Sequence, residues 1–258
     1  MTDAATETTS GTATGQTAGA VPILETHGLT MRFGGVVAVD DVDFSMAEGE
    51  LRCLIGPNGA GKSTFFKCLT HQYKASAGRV RFRGTDITGS HTYQIARRGI
   101  GIKTQVPSVF DGLSVHENIW VAARRHHGRR EANRIVDEIL ERLRLEGHAR
   151  RVVGQLAHGE RQRVELGTVL TGEPELILLD EPTAGMTHEE VNQTTDLIRE
   201  INRTTSLIVV EHDMQFIKAI AERVTVFHQG AILIEDTMAN LEKNQQVRDI
   251  YLGKQHAA

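Results

Sequence analysis

Residues 56–64 read Gly56-Pro57-Asn58-Gly59-Ala60-Gly61-Lys62-Ser63-Thr64, directly after the short apolar run 51–55. A GxxxxGK[ST] loop between a strand and a helix limits the fold sharply. Its backbone must curl so that successive N–H groups point inward, through conformations that a Cβ obstructs. A helix must follow, expected here from Lys62 to Tyr73, so that its N-terminal dipole favours an anion. Such a cradle suits phosphate oxygens: Lys62 would reach the β- and γ-phosphates, and the Ser63 hydroxyl would ligate Mg²⁺. The expected ligand is a nucleoside triphosphate.

A second acidic element agrees with the first. Leu176-Ile-Leu-Leu-Asp180-Glu181 sets two carboxylates at the end of an apolar strand, the edge where open parallel sheets bind ligands. Asp180 suits Mg²⁺, and Glu181 suits polarising the water that attacks a γ-phosphate in line. Alone, an Asp-Glu pair after a strand is more often a solvated turn; the phosphate loop in the same chain changes that weighting. His212 follows the next apolar run, 206–210, and should emerge at the same edge with its imidazole toward the γ-phosphate. Gln105, after the strand expected at 99–103, offers an amide oxygen to Mg²⁺ or to the attacking water.

Around these lie β-rich segments at 23–33 and 36–44, expected as a hairpin, and Arg79–Arg83, expected as an exposed antiparallel strand. From 115 to 145 the spacing turns helical, with Ile135, Ile139 and Leu143 four apart, and a helical insertion is expected over about 106–165. A helix bearing Val191, Ile198 and Ile201 on one face, a hairpin at 224–234 and a polar C-terminal helix complete the chain. The expected fold is α/β: a P-loop core with a mostly parallel sheet, an antiparallel β subdomain and a helical insertion. Residues 1–21 read as a disordered tail and 22–258 as one nucleotide-binding domain.

At 258 residues and a net charge of -4, the chain is not built chiefly to coat nucleic acid. The basic run Arg124–Arg130 reads as a solvated helix face, since Glu131 follows and no aromatic interleaves it. No apolar run approaches the roughly 18–20 residues of a membrane helix. Cys53 and Cys68 lack CxxC spacing and are expected to be reduced thiols.

The ordered set of phosphate loop, Gln105, Leu156-Ala157-His158-Gly159-Glu160-Arg161-Gln162, Leu176–Glu181 and His212 resembles the ATP-binding subunit of ABC transporters. The resemblance spans nearly everything after the tail. These segments are similar to the family's Walker A loop, Q-loop, signature motif, Walker B strand with catalytic glutamate, and switch histidine. It implies ATP and Mg²⁺ as ligands and Phe33 stacked on adenine. It also implies a head-to-tail pair of ATP-binding domains, each nucleotide lying between one phosphate loop and the other signature motif. Two membrane permeases, an extracytoplasmic solute-binding protein and a peripheral place on the cytoplasmic face of the cell membrane follow from the same likeness; nucleic acid is not an expected partner.

More narrowly, Phe33-Gly-Gly, Val106-Pro-Ser-Val-Phe110, His158-Gly159, Pro182-Thr-Ala-Gly-Met-Thr187 and Asp249-Ile-Tyr-Leu-Gly253 look like the branched-chain amino acid and urea uptake branch. The Ala-Gly-Met-Thr run leans toward its urea or amide members. The competing expectation, an ABC-type ATPase that remodels nucleic acid or ribosomes, usually brings tandem halves or a long coiled-coil insertion. Three positions depart from the family pattern: Ala157 stands where the signature serine would be, His158 at its first glycine and Glu160 at its glutamine. Thr187 replaces the aspartate of the D-loop. These departures lead to the expectation of a heterodimer with unequal ATP sites.

Overall fold

The computed structural model describes residues 21–252. The expected N-terminal tail, Val21 apart, and Gly253 lie outside the described residues. Strands β1 (Leu24–Phe33), β2 (Val36–Met46) and β3 (Leu51–Ile55) lead into helix α1 (Lys62–Leu69). Then come β4 (Ala77–Phe82), β5 (Thr85–Asp86), α2 (Thr92–Arg97) and β6 (Ile100–Lys103). Helices α3 (Val115–Ala123), α4 (Arg129–Arg142) and α5 (His158–Leu170) follow, with 3-10 turns at Glu146–His148 and Val153–Gln155 between the last two. The chain closes with β7 (Leu176–Asp180), α6 (His188–Asn202), β8 (Ser206–Val210), α7 (Met214–Ile220), β9 (Arg223–His228), β10 (Ala231–Asp236), α8 (Met238–Leu241) and α9 (Gln245–Leu252).

Two sheets form. The antiparallel one has the order β2-β1-β4-β5, and the larger has the order β10-β9-β3-β8-β7-β6, parallel throughout except for β10. Strands β3, β7 and β8 are buried at every residue, as continuous apolar runs in a sheet covered on both faces must be. Alternation sends Ile177, Leu179, Leu207 and Val209 to one core, and Leu176, Leu178, Ile208 and Val210 to another. The first core is roofed by α3 to α7, the second by α1, α2 and the antiparallel sheet. Each fully buried Leu, Ile or Val contributes about 1.5–3 kcal/mol, so the central strands form the stiff platform from which the strand-end residues project.

Arg52 breaks the apolar run of β3, yet it is 1% exposed. Its guanidinium is met by Glu50 Oε1 at 2.5 Å, Glu235 Oε1 at 2.6 Å, Thr225 Oγ1 at 2.9 Å and the Ser45 carbonyl at 3.2 Å. Full pairing is the condition for burying that charge.

Two expectations shift. The helix after the phosphate loop stops at Leu69 rather than Tyr73: Thr70 Oγ1 turns back to the Phe66 carbonyl at 3.1 Å, and His71 takes φ +52°. The reversal carries Tyr73 under Phe33, ring centroids 5.3 Å apart and edge to face. Strand β4 is exposed on one side only, since Val80 and Phe82 are buried. In the run 124–130 every residue but His127 is exposed, and His127 Nε2 sits 3.2 Å from the Thr171 carbonyl.

Candidate functional site

The phosphate loop is shaped by what a side chain would hit. A Cβ on Gly56 would lie 2.4 Å from the Phe227 carbonyl oxygen, and one on Gly61 (φ +103°) 2.4 Å from that of Ala38. Both positions therefore require glycine. Ala60 O accepts from Gly230 N at 2.9 Å, and Gly61 O accepts from Phe65 N at 2.8 Å, which fixes the loop to β9–β10 on one side and α1 on the other. Lys62 Nζ folds over the loop and donates to the carbonyls of Gly56 at 2.6 Å and Pro57 at 3.1 Å. Burial pulls the Lys62 pKa down, while Glu181 and Asp180 oppose that pull. A half-buried cation spanned only by neutral carbonyls is poised for an anion. Ser63 is exposed in the first turn of α1, next to Thr64.

The parallel register pairs Asp180 of β7 with Val210 of β8, so the residues that follow each strand emerge side by side. Glu181 has φ +45° and donates its N–H to the Val210 carbonyl at 2.9 Å. A non-glycine residue in that region at a strand end is the kind of backbone feature found at functional sites. Gln105, just past β6, donates from Nε2 to Glu181 Oε2 at 2.6 Å. His212 Nδ1 stands 3.7 Å from Glu181 Oε1 and 3.7 Å from Glu211 Oε2, with the His212 side chain 67% exposed. Three residues expected from separate motifs, Gln105, Glu181 and His212, thus converge.

Asp180 is buried, and burial first, then the Glu181 charge, push its carboxyl above the usual range, with Lys67 and Lys103 acting against them. A desolvated carboxylate beside a second acid suits a cation bound close by. Among the described residues, no group of three or more His, Cys, Asp or Glu could hold a metal. Asp180, Ser63 and Gln105 each carry an oxygen of the kind Mg²⁺ takes, an ion commonly held by one or two protein ligands with substrate phosphates and water completing its shell.

The segment 156–160 opens α5. Leu156 is buried, Ala157 is the exposed N-cap of α5, and Glu160 Oε2 accepts from Ala157 N at 2.9 Å. With no side-chain oxygen at Ala157, only the Glu160 half of a capping box exists. Gly159 faces the Glu190 carboxylate, whose Oε1 would sit 2.4 Å from a Cβ there, so a side chain at 159 would have to push that carboxylate aside. His158, Arg161, Gln105 and Gly185 line one open cleft. Phe33, 43% exposed at the end of β1, packs edge to face with Tyr73.

Sequence reasoning missed two polar residues. Glu211, 1% exposed, accepts from Thr183 N at 3.0 Å, Thr183 Oγ1 at 2.5 Å and His212 N at 3.0 Å, joining the strand ends that carry Glu181 and His212. Gln162, 2% exposed, donates from Nε2 to the Gln105 carbonyl at 3.2 Å. An acid following an apolar strand was the available signal for Glu211; Gln162 closes the run 156–162, where only Leu156–Glu160 were expected to meet nucleotide.

A glycine phosphate loop after a central parallel strand, with acids at the same sheet edge, defines a P-loop nucleotide hydrolase. The family model described as ABC transporter matches residues 39–184, and the chain belongs to that family. The branched-chain amino acid transport ATP-binding protein BraF of Pseudomonas aeruginosa is 35% identical over 251 residues, covering 90% of this chain and 98% of that protein. LivG of Salmonella typhimurium, named for the same transport, is 36% identical with the same coverage. The ADP conformation of MJ1267, an ATP-binding cassette of an ABC transporter, superposes with a TM-score of 0.81 at 27% identity, covering 90% of this chain and 99% of that one. The chain is thus an ATP-binding, ATP-hydrolysing subunit of the ABC class. No helix among the described residues is long and apolar enough to cross a membrane.

Proposed function

We propose that the chain powers an importer of a small solute, branched-chain amino acids being the first solute class. The observation that carries this is near full-length similarity, at 35% and 36% identity, to two proteins named for branched-chain amino acid transport. Urea or a related amide is the second class, favoured by the Ala184-Gly-Met-Thr187 run. In this reading the chain sits peripherally on the cytoplasmic face of the membrane, beside two permeases and a second ATP-binding subunit, with a binding protein delivering solute from outside.

The loop 56–64 binds the ATP phosphates through its N–H groups, and Lys62 exchanges the carbonyls of Gly56 and Pro57 for the β- and γ-phosphates. Phe33 stacks on adenine through its exposed ring. Ser63, Asp180 and Gln105 would hold Mg²⁺, which would supply charge neutralisation at the phosphates. Glu181 accepts a proton from the water attacking the γ-phosphorus in line; the bond from that phosphorus to the bridging oxygen breaks, and ADP leaves with that electron pair. His212 orients Glu181 and contacts the γ-phosphate. The signature residues Leu156–Glu160 close over the nucleotide held by the second subunit. Ala157 supplies no hydroxyl there, which makes the two ATP sites of a heterodimer unequal.

The test is uptake by cells whose only copy of this subunit carries Lys62→Ala. Loss of labelled leucine, isoleucine or valine uptake supports the first class, loss of urea or amide uptake alone supports the second, and unchanged uptake of all of them contradicts both.

A further inference from the structure

We infer that His158 supplies, from Nδ1–H, the donor to the terminal phosphate of the facing nucleotide that Ala157 lacks. The inference rests on the shared-site reading above. His158 is the first residue of α5 and is exposed, its ring lying against Gly185, where an added Cβ would be 3.5 Å from His158 Cδ2. Its inward nitrogen, Nε2, is 3.1 Å from Nε2 of Gln162, one helical turn on.

The buried Gln162 side chain fixes the proton. Its amide group also meets the Gln105 carbonyl oxygen at 3.2 Å, and a carbonyl only accepts, so the atom facing both partners is the –NH₂ nitrogen. One N–H goes to Gln105 O and the other to the imidazole. An amide nitrogen does not accept, so His158 Nε2 must be the bare, accepting nitrogen of a neutral ring. The ring proton therefore sits on Nδ1. Gln162 Oε1 is left buried without a partner, and turning the amide over to satisfy it would set oxygen against oxygen at Gln105.

His158 thus presents a neutral, oriented N–H beside the backbone amides that open α5, on the segment expected to cover the second subunit's nucleotide. A donor aimed at a phosphate oxygen there makes a charge-assisted bond. Because one amide holds both the Gln105 carbonyl and the His158 ring, Gln162 also connects the segment that carries Glu181's partner to the donor offered to the other site.

The amide of Asn falls where His Nδ1 lies, and that of Gln where Nε2 lies, so substitution separates the two nitrogens. In the assembled transporter, His158→Ala and His158→Gln should raise the KM for ATP about tenfold. His158→Asn should stay within about twofold of the parent, and Ala157→Ser added to His158→Ala should recover most of the loss. An unchanged KM in His158→Ala, an Asn variant as impaired as Ala, or no recovery with Ala157→Ser overturns the assignment. ATP-driven association of the unaltered subunits is measured alongside. If ATP drives none, the shared-site reading falls and this inference with it; if association is normal and KM does not follow the pattern, only the His158 assignment falls.

Discussion

Gln105 Nε2 donates a 2.6 Å hydrogen bond to Glu181 Oε2, although 76 residues separate the two in sequence. The other carboxylate oxygen faces His212 Nδ1 at 3.7 Å. The amide thus fixes the direction of the carboxylate through one hydrogen bond. The sheet order that sets β6 beside β7 and β7 beside β8 is what brings the three residues to one edge.

Gln105→Ala removes this orienting bond while leaving the phosphate loop intact. A hydrogen bond to a charged group is worth about 1.5–3 kcal/mol, so kcat should fall about tenfold or more. ATP affinity measured by equilibrium binding should change far less; a loss of binding with kcat preserved would contradict the orienting role.

Asp180→Asn should stabilise the nucleotide-free chain. Burial and Glu181 raise the Asp180 carboxyl above its ordinary range, so the folded chain holds that proton more tightly than the unfolded one. The penalty for ionising it is absent below the ordinary pKa of about 4, grows as pH rises toward the folded value, and is complete above it. The Asn variant should therefore melt higher than the parent at pH 7, by about 2–4 °C for each kcal/mol relieved, and the gain should shrink toward pH 4. Calorimetry without nucleotide or Mg²⁺ checks this; a lower Tm at pH 7 would show that Asp180 is paired rather than desolvated.

The thiols should be inert in the folded chain. Burial pushes Cys68 up to about 11 and raises Cys53 further, with Glu211 adding to the second effect. Alkylation needs the thiolate. Mass spectrometry after iodoacetamide at pH 8 should find no adduct on native protein and both cysteines modified in concentrated guanidinium. Rapid native labelling of Cys68 would contradict its burial on the inner face of α1.

Arg52→Ala strips a buried cation from Glu50, Glu235 and Thr225, leaving Glu50 Oε1 without a donor and Glu235 Oε1 with the Thr225 hydroxyl alone. Breaking a buried pair from one side costs about 3–5 kcal/mol, and the partial exposure of Glu235 argues for the lower end. The urea midpoint should drop accordingly, and Arg52→Met should cost less because a long apolar side chain can still cover the Phe44 ring that the guanidinium overlies. A shift below about 1 kcal/mol for Ala would mean the network is solvated.

The fold was legible wherever one residue pattern had one physical solution. Runs such as 176–180 and 206–210 are too short and too apolar for anything but covered parallel strands. The loop 56–64 dictates what precedes and follows it. The end of α1 was not legible, because His71 enters a left-handed conformation with no glycine to announce it. Glu211 and Gln162 escaped for a different reason. Each acts by holding another residue, Glu211 the turn at Thr183 and Gln162 the carbonyl of Gln105, and such service is visible only once distant strands and helices are brought together.

Steady-state ATP hydrolysis by the transporter carrying Glu181→Gln, measured alongside ATP binding, tests the central claim most directly. The substitution keeps size and polarity and removes the base, an effect of about 10²–10⁴ on rate. The predicted result is ATP binding equal to the parent with turnover reduced at least about a hundredfold. Hydrolysis near the parental rate, with binding intact, would contradict the assignment of Glu181 and the site built around it.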